Sequence, residues 1–130
     1  HKPDGTSWHI AVQHPRKPDS FVEVEDIGLQ AVATSGDYQQ YFIKEGQRYH
    51  HILDPRTGWP SFPTISTTIW TRMAMDAAIL ATAIFVLGEE KGIQLAESLS
   101  DVEALVFTGT PEGYRIKSTK GLRGRFRIVD

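Results

Sequence analysis

The sequence predicts an α+β domain of antiparallel strands with one buried and one amphipathic helix, and three observations carry that expectation. Short stretches of period-two alternation occupy both ends of the chain, within residues 8–70 and 103–129. Between them lies a run of helix formers from Met73 to Leu87, followed by Gly88 as a stop. The order of strands, then helices, then strands lacks the strict strand–helix alternation of a wound parallel sheet.

Trp8 to Val12 reads as a strand closed by the His14-Pro15 turn. Phe21 to Glu25 alternates with Glu23 and Glu25 on the wet face, and Leu29 to Ala33 follows Gly28, so the two are expected to form a hairpin. Thr34-Ser35-Gly36-Asp37 is a turn signal. Tyr38 to Ile43 and Arg48 to Leu53, joined at Glu45-Gly46, predict a second hairpin. Asp54 to Pro63 holds three prolines and a glycine and must be a loop, after which Ile65 to Trp70 has the β-branched content of a strand. The helix from Met73 to Leu87 is apolar on nearly every side and is expected to be buried. A second helix fits Glu90 to Ser98, with Ile93, Ala96 and Leu99 as its apolar stripe. Glu103 to Thr108, Tyr114 to Ser118 and Arg125 to Val129, separated by glycine turns, predict a closing antiparallel meander.

With 130 residues, 40% hydrophobic and 23% charged, the chain has the size and composition of one globular domain. Its formal charge of -2, with both signs interspersed, provides no basic stripe for nucleic acid. The longest apolar stretch, Ala77 to Leu87, is too short to span a bilayer. Cysteine is absent, which excludes disulfides and thiolate chemistry and leaves His, Asp, Ser, Thr or Tyr for any catalysis. His1 to Ser7 is polar and turn-forming, like a loop entered midway, and is expected to lie inside a longer protein.

The densest polar cluster is Tyr49 to Gly58, running from a strand into a rigid loop. Alternation sets Tyr49 and His51 on one face and His50 on the other. An imidazole at a strand end with Asp54 three residues on makes either an acid/base pair or a surface His pair beside an Asp-Pro turn. The small residues of Thr34 to Tyr38 make either a cradle for a phosphate or a flavin edge, or an ordinary turn. Thr82, inside an apolar helix, is either a ligand or back-bonded to the preceding turn.

Four ordered segments resemble the ApbE family of flavin transferases. YHHILDPRTGWP, from Tyr49 to Pro60, is similar to the family's signature. KPDGTSWHIAVQHPR, residues 2–16, resembles the segment after its Gly-Gly-Asp motif. AVATSGDYQQYF, residues 31–42, resembles its Thr-Ser-Gly motif, and LATAIFVLGEEKG, residues 80–92, resembles a helix ending in a family glycine. The resemblance implies that residues 1–130 are the C-terminal portion of one ApbE-like, T-fold-like domain whose N-terminal half is not in this chain. It implies Mg²⁺-dependent transfer of FMN from FAD to a Thr or Ser of an acceptor flavoprotein. His51 matches the family base; Asp54 and Thr57 match positions at the FAD diphosphate; Ser35, Gly36 and Tyr38 match the flavin-side turn; and Thr82 matches a Mg²⁺ ligand. By the same resemblance the protein is expected to be periplasmic or a cell-envelope lipoprotein.

One departure stands out. The family's helix carries an Asp four residues before the Thr, and here that position is Ala78. Asp76 does not substitute, because six residues leave it roughly 120° around the helix from Thr82. The alternative implied by this loss is a catalytically weakened ApbE-like domain that still binds FAD.

Overall fold

In the computed structural model, residues 2–6, 8–25, 27–28 and 31–130 are described, and they form three layers. The first is a three-stranded antiparallel sheet in the order β1 (Ile10–Gln13), β2 (Phe21–Val24), β9 (Phe126–Val129). The second is a four-stranded antiparallel sheet in the order β3 (Ala31–Gly36), β6 (Thr64–Thr71), β7 (Glu103–Thr110), β8 (Gly113–Ser118). The third is the helix α1 (Ala74–Ser98), which packs on β3, β6 and β7. A separate hairpin, β4 (Tyr41–Lys44) with β5 (Gln47–His50), projects beside them; its turn places Glu45 and Gly46 at φ 51° and 79°, as a tight two-residue hairpin loop demands.

Every residue of β6 is buried, because it is covered on both faces. Val12, Val22 and Val24 of the first sheet meet Ile65, Trp70, Leu105 and Phe107 on one side. Ile69, Ala104 and Val106 meet Ala81, Ile84, Ile93 and Ala96 of α1 on the other. Strict alternation would send Ile65 and Ile69 the same way. A register shift between Thr64 and Ser66 turns Ile65 to the Trp70 side instead, so both cores receive a β-branched anchor from one strand.

The fold class is as the sequence predicts, while several local expectations are corrected. β2 does not form a hairpin with the segment after Gly28: it pairs with β1 and β9, and β3 pairs with β6. Leu29 and Gln30 of that expected strand, like His1 and Ser7 of the expected opening loop, lie outside the described residues. The closing meander is real only for β7 and β8, since β9 crosses back to β2 and seals the first sheet. The first strand begins at Ile10 rather than Trp8. Thr34, Ser35 and Gly36 belong to strand β3, and the turn starts at Asp37. These errors share a cause, because local alternation identifies strands but not the partners that long-range packing selects.

The helix also differs from expectation. It is not buried all round: Ala77, Ala81, Ile84 and Phe85 face inward at helical spacing, whereas Met75 and Ile79 are 70% and 59% exposed. Gly88 interrupts the helix, with φ 79° and ψ 175°, and the chain resumes helical geometry at once, so α1 is two helical segments meeting at a kink where the sequence expects the stop. Across the kink Gly92 packs against Ile84; a Cβ at Gly92 would lie 2.6 Å from Ile84 Cγ2. Ile93 and Ala96 are buried as expected, and Leu99 is exposed. Because the Gly88 conformation is open essentially only to glycine, Gly88→Ala should cost about 2 kcal/mol. Urea denaturation of the two proteins measures it, and an unchanged midpoint would show that the kink relaxes freely.

Candidate active site

Among the site candidates, those at the end of β3 and on the exposed face of α1 meet each other, and His51, Asp54 and Thr57 lie in the loop after β5. The Ser35 and Thr82 hydroxyls are 3.1 Å apart, joining β3 to α1. Thr82 is also in back-bonding reach of the Ala78 carbonyl, at 3.5 Å. Gly36 is a close-approach glycine, since a Cβ there would lie 2.4 Å from the Tyr38 ring. Burial pushes the Tyr38 hydroxyl above its ordinary pKa, so it remains protonated and able to donate at neutral pH.

His51 and Asp54 do not form a pair; each has its own partner. His51 is exposed just past β5, and its Nδ1 lies 3.2 Å from the Gln40 carbonyl. A carbonyl only accepts, so Nδ1 carries the hydrogen and the neutral ring keeps its lone pair on Nε2. Asp54 receives Nε and Nη2 of Arg56 at 2.9 and 2.7 Å together with the Arg56 amide at 2.9 Å. The hydrogen bonds from the Arg56 guanidinium, then its amide, hold the carboxyl pKa down at about 2. The Asp54 carbonyl accepts the amides of Thr57 and Gly58, and Thr57 Oγ1 accepts the Trp59 amide at 3.2 Å. Asp54 and Thr57 therefore shape the loop at whose start His51 sits.

Three buried polar side chains, Asp37, His14 and His50, carry no burial signal in the sequence. Asp37, 3% exposed, is gripped through both oxygens by Arg16 at 2.7 and 2.6 Å, with Arg48 at 4.0 Å. This cluster fixes the turn after Gly36 to the β1–β2 connection. His14 anchors that connection, its Nδ1 accepting the amides of Arg16 and Lys17 at 3.1 and 3.2 Å. His50, in turn, lies beneath the loop. Both imidazoles have pKa values pushed below 6.5, chiefly by burial.

The sign of the resulting pH dependence is fixed. Between pH 6.5 and the lower folded values the unfolded chain binds more protons, so this contribution to stability is complete above about pH 6.5 and is lost as pH falls below it. Asp54 acts in the same sense in a lower window: its depressed pKa keeps its contribution until pH drops below about 4. Thermal melts from pH 7.5 to 5 should therefore show falling Tm, and His14→Gln should flatten the curve. A Tm independent of pH over this range contradicts the two buried neutral imidazoles.

As a Mg²⁺ site the described residues are poor. Thr82 and Ser35 supply two neutral oxygens, Ala78 supplies none, and among the described residues no three His, Asp or Glu side chains are grouped to hold a metal.

Residues 1–106 match the family model described as the ApbE family. The chain belongs to the ApbE family. It is 40% identical over 114 residues to the FAD:protein FMN transferase of Vibrio cholerae serotype O1, covering 86% of this chain and 34% of that protein. It is 38% identical over 128 residues to the FAD:protein FMN transferase of Treponema pallidum, covering 95% of this chain and 34% of that protein. Its fold superposes on the crystal structure of the Thermotoga maritima ApbE protein with a TM-score of 0.72 at 35% identity, over 92% of this chain and 38% of the other. The chain thus spans about a third of the length of the curated relatives it matches, and the α+β class holds for an ApbE-like domain.

Proposed function

We propose that this chain is the C-terminal part of an FAD:protein FMN transferase, which moves FMN from FAD onto a Thr or Ser hydroxyl of an acceptor flavoprotein. The observation that supports this most is His51, exposed at the start of the signature loop with a bare Nε2. In this reading Nε2 takes the proton of the acceptor hydroxyl, whose oxygen forms a bond to the phosphorus of the FMN moiety. The P–O bond to the AMP moiety breaks, and AMP leaves. Ser35, Gly36 and Tyr38 border the flavin, while Asp54 and Thr57 hold the loop against the diphosphate, with the Arg56 guanidinium balancing the Asp54 charge. The protein would act in the periplasm or at the cell envelope.

Mg²⁺ belongs to this proposal only with ligands from beyond this chain, Thr82 contributing one oxygen and the cation stabilising charge on the diphosphate. The absent carboxylate at Ala78 favours a second reading, a weakened FAD-binding domain. Position 78 lies one turn before Thr82 and about 40° around the helix, so an Asp there would reach the same space. Ala78 is exposed, which leaves room for a carboxylate without burial. In a protein of the relatives' length carrying this chain, Ala78→Asp should tighten Mg²⁺-dependent FAD binding several-fold, roughly the gain from one added carboxylate ligand. Titrating Mg²⁺ while following FAD fluorescence measures this; a folded variant with unchanged metal dependence removes the cation from beside Thr82.

The function itself is tested by incubating that longer protein with FAD, Mg²⁺ and a Ser/Thr acceptor peptide, and reading the peptide by mass spectrometry. Covalent FMN with released AMP is expected. FAD binding without any transfer selects the second reading.

A further inference from the structure

His50, not His51, has the more constrained imidazole of the pair. It is 3% exposed, set edge-on between Phe62 and Phe85 with ring centroids 5.3 and 5.5 Å away. Its Nδ1 accepts the Ile52 amide at 3.3 Å, and its Nε2 lies 3.0 Å from the Ser61 carbonyl. Ser61 oxygen only accepts and the Ile52 amide only donates, so one state satisfies both: the neutral ring with its hydrogen on Nε2.

These two bonds join opposite ends of the signature loop. The chain leaves β5 at His50 and returns at Ser61, and the neck is closed by Ser61 N–H to the Ile52 carbonyl at 3.0 Å, the Leu53–Pro60 bridge, and Asp54 N–H to the Trp59 carbonyl at 2.8 Å. The loop is further tied to α1 by the Phe85 contact, one helical turn from Thr82. With residue 50 held inward, residue 51 must turn outward, which is where its Nδ1 meets the Gln40 carbonyl. The charged and titratable groups influencing the His50 ring are Asp37 from the turn after β3, Arg48 from β5 and His51 just past it; from α1 and the loop's far end the Phe85 and Phe62 rings and the Ser61 carbonyl touch it.

We infer that His50 is a positioning residue that sets the orientation and tautomer of His51 by clamping both ends of the signature loop. It rests on the reading of His51 as base. His50→Phe keeps the ring packing and removes both hydrogen bonds. In the longer protein this variant should lower kcat by about tenfold or more with KM for FAD within about twofold, because misplacement of a reacting group affects the chemical step more than substrate holding. His50→Gln, whose amide N–H reaches the Ser61 carbonyl, should recover part of the loss. Independently of activity, ¹⁵N spectra of the His51 ring should change from one tautomer to a mixture in His50→Phe and return toward one in His50→Gln.

A His50→Phe protein with a lower Tm but an unchanged His51 tautomer and unchanged kcat overturns the inference. If His50→Phe does not fold, His50→Gln decides on the same readouts, since loss of the Ile52 bond alone should still broaden the His51 tautomer distribution. If the unsubstituted protein transfers no FMN, the functional reading has failed while the tautomer measurement still tests the clamp. If it transfers FMN and His51→Ala is silent, only the base assignment has failed.

Discussion

His51→Ala, in a protein of the relatives' length carrying this chain, should lower turnover roughly 10²-fold or more while leaving FAD affinity nearly unchanged. A general base acts on the proton of the incoming hydroxyl, a contact that exists only as the reaction proceeds, so its removal acts on kcat and not on resting nucleotide binding. The geometry sharpens the expectation. His51 is exposed and its hydrogen bonds run to Gln40, so replacing it opens no cavity and leaves no buried charge unpaired. Single-turnover transfer and equilibrium FAD binding separate the two effects. Equal losses in both would assign His51 to holding the nucleotide.

The second large effect is on stability. Asp37 is buried between Arg16 and Arg48, whose side chains are 33% and 25% exposed, and Asp37→Ala leaves two guanidinium groups facing a cavity with no counter-charge. Breaking such a pair from one side costs about 3 kcal/mol, at the lower end of the usual range because both arginines retain some water. The loss should be local as well as global: the turn after Gly36 is fastened to the β1–β2 connection through this carboxylate, so Tyr38 should lose its fixed place over Gly36. Urea unfolding gives the first quantity, and Tyr38 ring shifts by NMR the second. A change under about 1 kcal/mol would mean that the arginines swing out and rehydrate.

Much of this was legible in the chain itself. Val22 and Val24 inward with Glu23 outward, the Glu45-Gly46 turn and the stop at Gly88 each follow from a local rule, and each is found. What local rules missed depends on distant residues. Alternation shows that Phe21 to Val24 is a strand but not that Phe126 to Val129, a hundred residues on, becomes its neighbour. The all-round apolar character of Met73 to Leu87 predicts burial, yet only one side of α1 is covered by this chain. At the site, the Ser35 and Thr82 hydroxyls meet across β3 and α1, while His51 stands past β5 with Gln40 as its partner. The spacing of Asp54 three residues after His51 leaves an acid/base pair or a surface His beside an Asp-Pro turn both open, and the nearer guanidinium of Arg56 claims the carboxylate. Asp37 and His50 stood inside the very segments singled out and drew no attention, because an Asp after a glycine and a second histidine read as surface. Only the three-dimensional neighbours, Arg16 from residue 16 and Ser61 from beyond the loop, give them a role.

The proton state of His51 can be read directly on this 130-residue chain by ¹⁵N NMR of its ring at a pH where the imidazole is neutral. A protonated Nδ1 and a bare Nε2 are the expected result, with the Nδ1 hydrogen held by the Gln40 carbonyl. Protonation at Nε2, with Nδ1 bare, would contradict the assignment of Nε2 as the base that activates an acceptor hydroxyl.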